Sequence, residues 1–210
     1  MIELFISAFV TLFVIIDPPG CAPIYAGLTS GANPAQRRSM AIRAVVTAGA
    51  ILLFFALAGE ALLDKLGISL DSFRIAGGIM LFLIALEMVF EKRNQRKEDT
   101  AHKIADQYAK TPEVEDVSTF PMAMPMIAGP GSIATVMLLV GRTSGWAESA
   151  VVMAALGINL LLTLAALLAA GPLMRVLGAR IEAVITRLLG VLLAALATQF
   201  VIDGVRASLG

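Results

Sequence analysis

The sequence predicts an all-α membrane protein: six transmembrane helices arranged as a 3+3 inverted repeat, the first helix of each half being discontinuous. Three observations lead there. Of the 210 residues, 58% are hydrophobic and 15% charged, against about 45–50% and about 25% in soluble domains. Six apolar stretches approach the length of a membrane crossing. Clusters of Pro and Gly interrupt the first and the fourth of these stretches.

A crossing takes about 20 mostly apolar residues to span a hydrocarbon core of roughly 30 Å. The stretches are Ile2–Thr29 (interrupted), Met40–Leu63, Phe73–Phe90, Val117–Val140 (interrupted), Ala150–Leu173 and Ile181–Val205. Mean hydropathy is +0.85, and a chain this short cannot bury so much apolar surface without a membrane. Aromatic residues are only 6%, so the apolar content is aliphatic and rich in alanine, which lets helix backbones approach closely in lipid. The chain divides into a first three-helix repeat (1–91), a charged cytoplasmic loop (92–116) and a second repeat (117–210), all one membrane domain.

Charge excludes several classes. The formal net charge is zero, with no basic patch for nucleic acid. Cys21 is the single cysteine, so no intrachain disulfide forms. His102 stands alone without metal-ligand spacing, and no metal or cofactor is expected. Met1-Ile2-Glu3-Leu4 lacks the basic start of a secretory signal, so the first stretch is expected to stay as a span.

Basic residues orient the bundle. With the N-terminus outside, the inner loops hold twelve: Arg37, Arg38, Arg43, Lys92, Arg93, Arg96, Lys97, Lys103, Lys110, Arg175, Arg180 and Arg187. Lys65, Arg74, Arg142 and Arg206 remain outside. Both termini then face outward. If the interrupted stretches were re-entrant hairpins, the split would fall to eleven against five, so six full crossings are favoured.

The halves match at an offset of about 111 residues. Ile16-Asp17-Pro18-Pro19-Gly20 lies against Ile127-Ala128-Gly129-Pro130-Gly131, and Leu66-Gly67 against Leu177-Gly178. With one residue inserted, Ala58-Gly59 meets Ala170-Gly171, Gly78 meets Gly190, Thr47 meets Asn159 and Glu87 meets Gln199. Three spans per half make the second half enter from the opposite side. By analogy with secondary transporters, whose sites lie at discontinuous helices near the midplane, the breaks become the candidate site.

Proline has no N–H and clashes with the preceding turn; glycine permits the backbone angles of a break. Both breaks fall more than ten residues into their spans, within the hydrocarbon layer, where unwound backbone must be buried or line a wet cavity. One half-helix then offers carbonyls to Na⁺ or an amine, and the next offers N–H groups to a carboxylate. Gly20, Gly129 and Gly131 shape the breaks. Ser132 and Thr135, three apart on one face, add hydroxyls. Asp17 is an ionisable group at membrane depth and so a functional hypothesis. It reads as a cap for the half-helix starting at Pro18, as a cap that also serves the site, or as the coupling ion or proton site. Thr47 and Asn159 flank the site or hold helices together.

Three motifs in order resemble the MarC family: Ile16-Asp17-Pro18-Pro19-Gly20 with Pro23 and Leu28-Thr29; Phe73-Arg74-Ile75-Ala76-Gly77-Gly78-Ile79; and Pro121 to Pro125 running into Ile127-Ala128-Gly129-Pro130-Gly131-Ser132-Ile133-Ala134-Thr135. The resemblance covers nearly the whole chain. It implies six spans in a bacterial inner membrane and, from some relatives, Na⁺- or H⁺-coupled transport of small neutral amino acids such as glycine and alanine. The expected function is thus a secondary transporter or exporter of such molecules, with the lipid bilayer and a small-molecule substrate as partners and homo-oligomerisation left open. The alternatives are a passive channel and a non-transporting membrane stress or assembly factor. An enzyme is not expected, for neither His-Glu-x-x-His nor Gly-x-Ser-x-Gly is present.

Overall fold

The computed structural model describes residues 1–90 and 116–209, and for 172–183 the backbone alone. Apart from Asp116, the expected charged loop lies outside the described residues, as does Gly210 of the second repeat. The helices are α1 (Ile2–Ile16), α2 (Pro18–Leu28), α3 (Pro34–Lys65), α4 (Leu70–Val89), α5 (Pro130–Val140), α6 (Trp146–Leu168) and α7 (Ala170–Leu209), with an irregular proline segment over Ser118–Ile127. No strand occurs among the described residues.

Among the described residues five segments are long and apolar enough to cross a membrane, α1 and α2 together counting as one (Ile2–Leu28), and six are if the bent pair of the proline segment and α5 counts as one. Their outward faces carry Val46, Phe54, Leu57, Leu161 and Val191, all more than half exposed. Such a surface suits lipid rather than water. Between the helices lie Ala8, Ala41, Ala44, Ala48, Ala155 and Ala197, fully buried, as close backbone packing in a bilayer requires.

Local signals set the boundaries. Asn33 and Gln36 form a reciprocal capping box ahead of Pro34, which starts α3 six residues before the expected Met40. Ser69 caps α4 through the Ser72 N–H. The expected boundary at Leu177-Gly178 is different: the backbone is helical there, and the fifth crossing ends instead at Ala169. Gly permits a turn without compelling one, and a lone Gly inside a helix costs only about 1 kcal/mol.

Helix crossings fix the arrangement. The third helices, α4 and α7, pack along their length. A methyl group placed on Gly78 would meet Ala197 O at 2.9 Å and Val201 Cγ2 at 2.7 Å; one on Gly190 would meet Ala85 O and Val89 Cγ2, both at 3.1 Å. Near the far end, a methyl group on Gly204 would meet Asp71 O at 3.0 Å, so the two helices run antiparallel. Elsewhere α1 packs on α6 and the proline segment on α3, while α2 packs on α6 and α7, and α5 on α3 and α4.

The second interrupted stretch crosses the whole bundle. Its start is tied to one end, where Asp116 pairs with Arg43 at 3.0 Å. Its finish lies at the other, where Gly141 O accepts from Arg74 at 3.5 Å. Arg43 and Lys65 are separated by 22 residues of α3, about 33 Å of helix, and Arg74 follows in α4 just beyond. A re-entrant hairpin would return to its starting end.

Candidate functional site at the helix breaks

The first break is a single residue. Asp17 adopts φ 56°, ψ 63°, the left-handed region that Asp and Asn tolerate better than other side chains. Its N–H still donates to Phe13 O at 2.9 Å, and its carbonyl accepts from Cys21 N at 3.0 Å. Pro18 and Pro19 bring no N–H for the Val14 and Ile15 carbonyls. The next N–H, that of Gly20, is received by Asp17 Oδ1 at 3.1 Å. A methyl group on Gly20 would fall 2.2 Å from Asp17 Oδ2, so glycine at this position is what lets the carboxylate fold over the helix start. Asp17 is 1% exposed.

The second break is built over a dozen residues. Phe120 and Met124 are extended within the segment, and the Phe120–Pro121 and Met124–Pro125 peptides are cis. The residue before proline is driven from the α region toward extended backbone, and this happens twice in four residues. The expected continuous half-helix over Val117–Ile127 is therefore replaced by an irregular winding with i→i−5 bonds, Met122 N to Val117 O at 3.2 Å and Ala128 N to Ala123 O at 2.9 Å. Gly129 then begins α5, and no side chain caps it. A methyl group on Gly129 would lie 2.4 Å from Pro125 O.

The breaks meet. A methyl group on Gly131 would touch Ile84 Cδ1 at 2.6 Å, Ile15 Cγ2 at 3.7 Å and Leu81 Cδ2 at 3.9 Å. Ile15 is two residues before Asp17. Leu81 and Ile84 lie in the interior of α4, about 16–21 Å from its Leu70 end and about 8–12 Å from its Val89 end. Both breaks thus sit inside the hydrocarbon layer at a common depth.

The remaining predicted residues divide. Ser132 is 3% exposed, and its hydroxyl has no hydrogen-bond partner among the described residues. Thr135 is buried, but its hydroxyl donates to Gly131 O at 2.7 Å. Asn159 is fully buried and ties helices together: its Nδ2 donates to Phe9 O at 3.2 Å and to Ala155 O at 2.9 Å. Phe9 is about 12 Å along α1 from Asp17. The Asn159 Oδ1 is buried without a partner. Thr47 is half-buried, and no contact brings it to the breaks.

Sequence reasoning passed over the Leu28 end of α2. There the Arg37 Nε donates to Thr29 O at 2.8 Å and Nη2 to Ser30 O at 2.9 Å, while the Tyr25 hydroxyl donates to Arg37 O. An arginine that satisfies the last carbonyls of a helix has a legible signal, namely a basic residue just past the helix end. A cavity of about 370 Å³ opens beside it, lined in part by Tyr25, Thr29, Arg37, Leu168 and Gly171. At the opposite end Arg142 pairs with Asp203 at 2.5 Å and lies over the Phe200 ring. Burial draws the Arg142 pKa below the usual arginine value, against the pull of Asp203.

A multi-pass helical membrane protein with paired helix breaks at mid-depth is the class that this architecture defines. The family model described as "MarC family integral membrane protein" matches residues 2–209, and the chain belongs to that family. It is 36% identical over 208 residues to a UPF0056 membrane protein of Methanocaldococcus jannaschii, covering 99% of this chain and 98% of that one. It is 34% identical to the UPF0056 inner membrane protein YhgN of Escherichia coli, covering 96% and 95%, and 32% identical to the UPF0056 membrane protein YvbG of Bacillus subtilis, covering 98% and 96%. No solved structure matches.

Proposed function

We propose that the chain is a secondary transporter or exporter of small neutral amino acids or similar metabolites, driven by a Na⁺ or H⁺ gradient. The observation that carries this reading is the meeting of the two breaks at mid-depth. A buried carboxylate, Asp17, stands on one side. The uncapped start of α5 stands on the other, next to the unpartnered hydroxyl of Ser132. An amine or cation is favoured near the carboxylate and a carboxylate near the N–H groups at the start of α5. A zwitterion of glycine or alanine size suits such a pair.

An inverted repeat underlies this proposal, and reciprocal contacts support it. Gly78 meets Ala197 and Val201, while Gly190 meets Ala85 and Val89; every residue stands 112 positions from its counterpart. Because α4 and α7 are antiparallel, the axis exchanging them lies across the helices, as an inverted repeat demands. The same offset of 112 relates α2 to α5 from first residue to last and the first residue of α3 to that of α6. The registration at the breaks is accordingly one residue from the sequence match: Asp17 corresponds to Gly129, and Pro18 to Pro130. The excess of basic residues supports an orientation with Arg37 and Arg43 on the cytoplasmic side of an inner membrane and both termini outside.

The test is flux. Purified protein in liposomes, with an imposed Na⁺ or H⁺ gradient and labelled glycine or alanine, accumulates substrate above empty vesicles. Absence of accumulation across a panel of small amino acids, in both gradient directions, overturns the assignment. Asp17→Asn keeps the cap and the tolerance of the left-handed backbone, so the protein folds and binds while coupling to H⁺ is lost. Unchanged pH dependence would reduce Asp17 to a cap.

A further inference from the structure

The two ends of the bundle are not alike, and the difference falls at related positions. At the outer end Met137, on α5, lies on Gly59 of α3: a methyl group on Gly59 would meet Met137 Cγ at 2.7 Å and Cε at 2.8 Å. Met137 is 7% exposed. The counterparts at the inner end, 112 positions away, are Tyr25 on α2 and Gly171 on α7. There a methyl group on Gly171 would meet nothing within 4 Å among the described residues, and the space is the cavity of about 370 Å³ that Tyr25 and Gly171 both line. Leu168, 49% exposed on that cavity, corresponds to Ala56, 7% exposed.

Backbone continuity differs in the same place. From Pro34 to Lys65 α3 runs without interruption. Its counterpart is divided at Ala169 into α6 and α7, two residues from Gly171. Where the helix runs on, the neighbouring half-helix seats its side chain against it. Where it is divided, the wall stands back.

We propose that this is an inward-open conformation, in which Tyr25–Gly171 and Met137–Gly59 form the inner and outer gates of one pathway. The cavity is the inner mouth for the small zwitterionic substrate, leading along α2 toward the break at Asp17, eight residues above Tyr25. In the opposite state Tyr25 seats on Gly171, and Met137 leaves Gly59. The Tyr25 hydroxyl, now held by Arg37 O, exchanges that bond on closing, so Tyr25 acts as a gate rather than a ligand. The proposal rests on the transporter reading, but its test separates the two.

Single cysteines are introduced into a Cys21→Ser background, and a membrane-impermeant maleimide is applied to right-side-out and inside-out membrane vesicles. Ala35→Cys and Ser144→Cys, both at exposed ends, report which face is which. Leu168→Cys is expected to label from the Ala35 side about tenfold faster than Ala56→Cys labels from the Ser144 side, as an open state populated over a minor one requires. Met137→Ala should raise Ala56→Cys labelling from its own side. Equal labelling of the two positions, or an Ala56→Cys rate indifferent to Met137, overturns the gates whether or not any substrate is transported. Where wild-type flux is present, Gly171→Met fills open space and so folds; it should abolish flux, and undiminished flux likewise overturns the proposal. Absence of wild-type flux with asymmetric labelling removes the substrate assignment and leaves the gates standing.

Discussion

Asp17 interrupts its span with one left-handed residue and caps the next half-helix with its own carboxylate, whereas the second interruption spreads over Ser118–Gly129 and ends on a helix start without a capping side chain. The first span keeps Ile2–Leu28 as one apolar unit of 27 residues, while the second bends by 54° between the proline segment and α5. The chemistry follows from which residue stands at the break. Asp supplies an acceptor to the Gly20 N–H; Gly129, at the start of α5, supplies none. One break is therefore locally satisfied and carries a carboxyl group, and the other offers the N–H groups of a helix start. The two breaks, which lie within contact of each other, thus present different groups to the space between them.

The largest expected effect separates side-chain from backbone obstruction. In Gly129→Ala the new methyl meets Pro125 O at 2.4 Å, a carbonyl fixed by the winding of its own segment. Overpacking of this kind costs about 1–3 kcal/mol. In Gly20→Ala the obstacle is the Asp17 carboxylate, which can rotate away at the expense of the cap, about 1 kcal/mol. Alanine's better helix propensity offsets up to about 1 kcal/mol of that. Thermal unfolding of purified protein in detergent should rank Gly129→Ala well below Gly20→Ala. An equal loss would mean that both breaks are held by the same kind of contact.

The contrast was partly legible in the sequence. Pro18-Pro19-Gly20 and Gly129-Pro130-Gly131 mark backbone that cannot continue as a helix, and hydropathy places them at depth. Asp17 as a cap followed from Asp before Pro. The winding of Ser118–Ile127 was signalled by Phe120-Pro121 and Met124-Pro125, since each proline constrains the residue before it, but apolar length alone reads that segment as helix. Both half-helices begin on a proline, Pro18 and Pro130, although the two motifs carry Pro and Gly in different order. The cavity beside Tyr25 escaped for another reason. Tyr25, Arg37 and Gly171 are scattered along the chain, and nothing local to any of them announces that α2, α3 and α7 leave space between them.

A smaller effect tests whether the second span of each half supports the adjoining break equally. Asn159 links α6 to α1 through Phe9 O, whereas its counterpart Thr47 is half-buried. Asn159→Ala removes an interhelical hydrogen bond and should lower stability by about 1 kcal/mol, in the range of polar contacts within membranes. Thr47→Ala should stay within about 0.5 kcal/mol, as for surface positions. A loss from Thr47→Ala matching that from Asn159→Ala would show that the two supports are equivalent after all.

The smallest effect concerns the second aspartate that precedes an interrupted segment. Asp116 receives the Ser118 N–H at 3.0 Å and pairs with Arg43 at 3.0 Å. It does for the proline segment what Asp17 does for α2, but at the surface, where its side chain is 47% exposed. Burial acts to raise its pKa, but the bonds from Ser118 and the charge of Arg43 outweigh it and hold the pKa below the usual 3.8. A carboxyl with a depressed folded-state pKa adds stability that is fully present above its unfolded value and is lost as pH falls through the folded one. The contribution is thus complete at neutral pH and fades below about pH 4. Comparing unfolding temperatures at pH 5 and pH 3, the wild type should lose more than Asp116→Asn, whose amide cannot titrate. The difference should shrink at high salt, because the Arg43 pair is exposed and screened. An equal loss in both proteins would make the bond from Ser118 indifferent to charge, and the start of the proline segment would then owe its stability to the geometry of that bond alone.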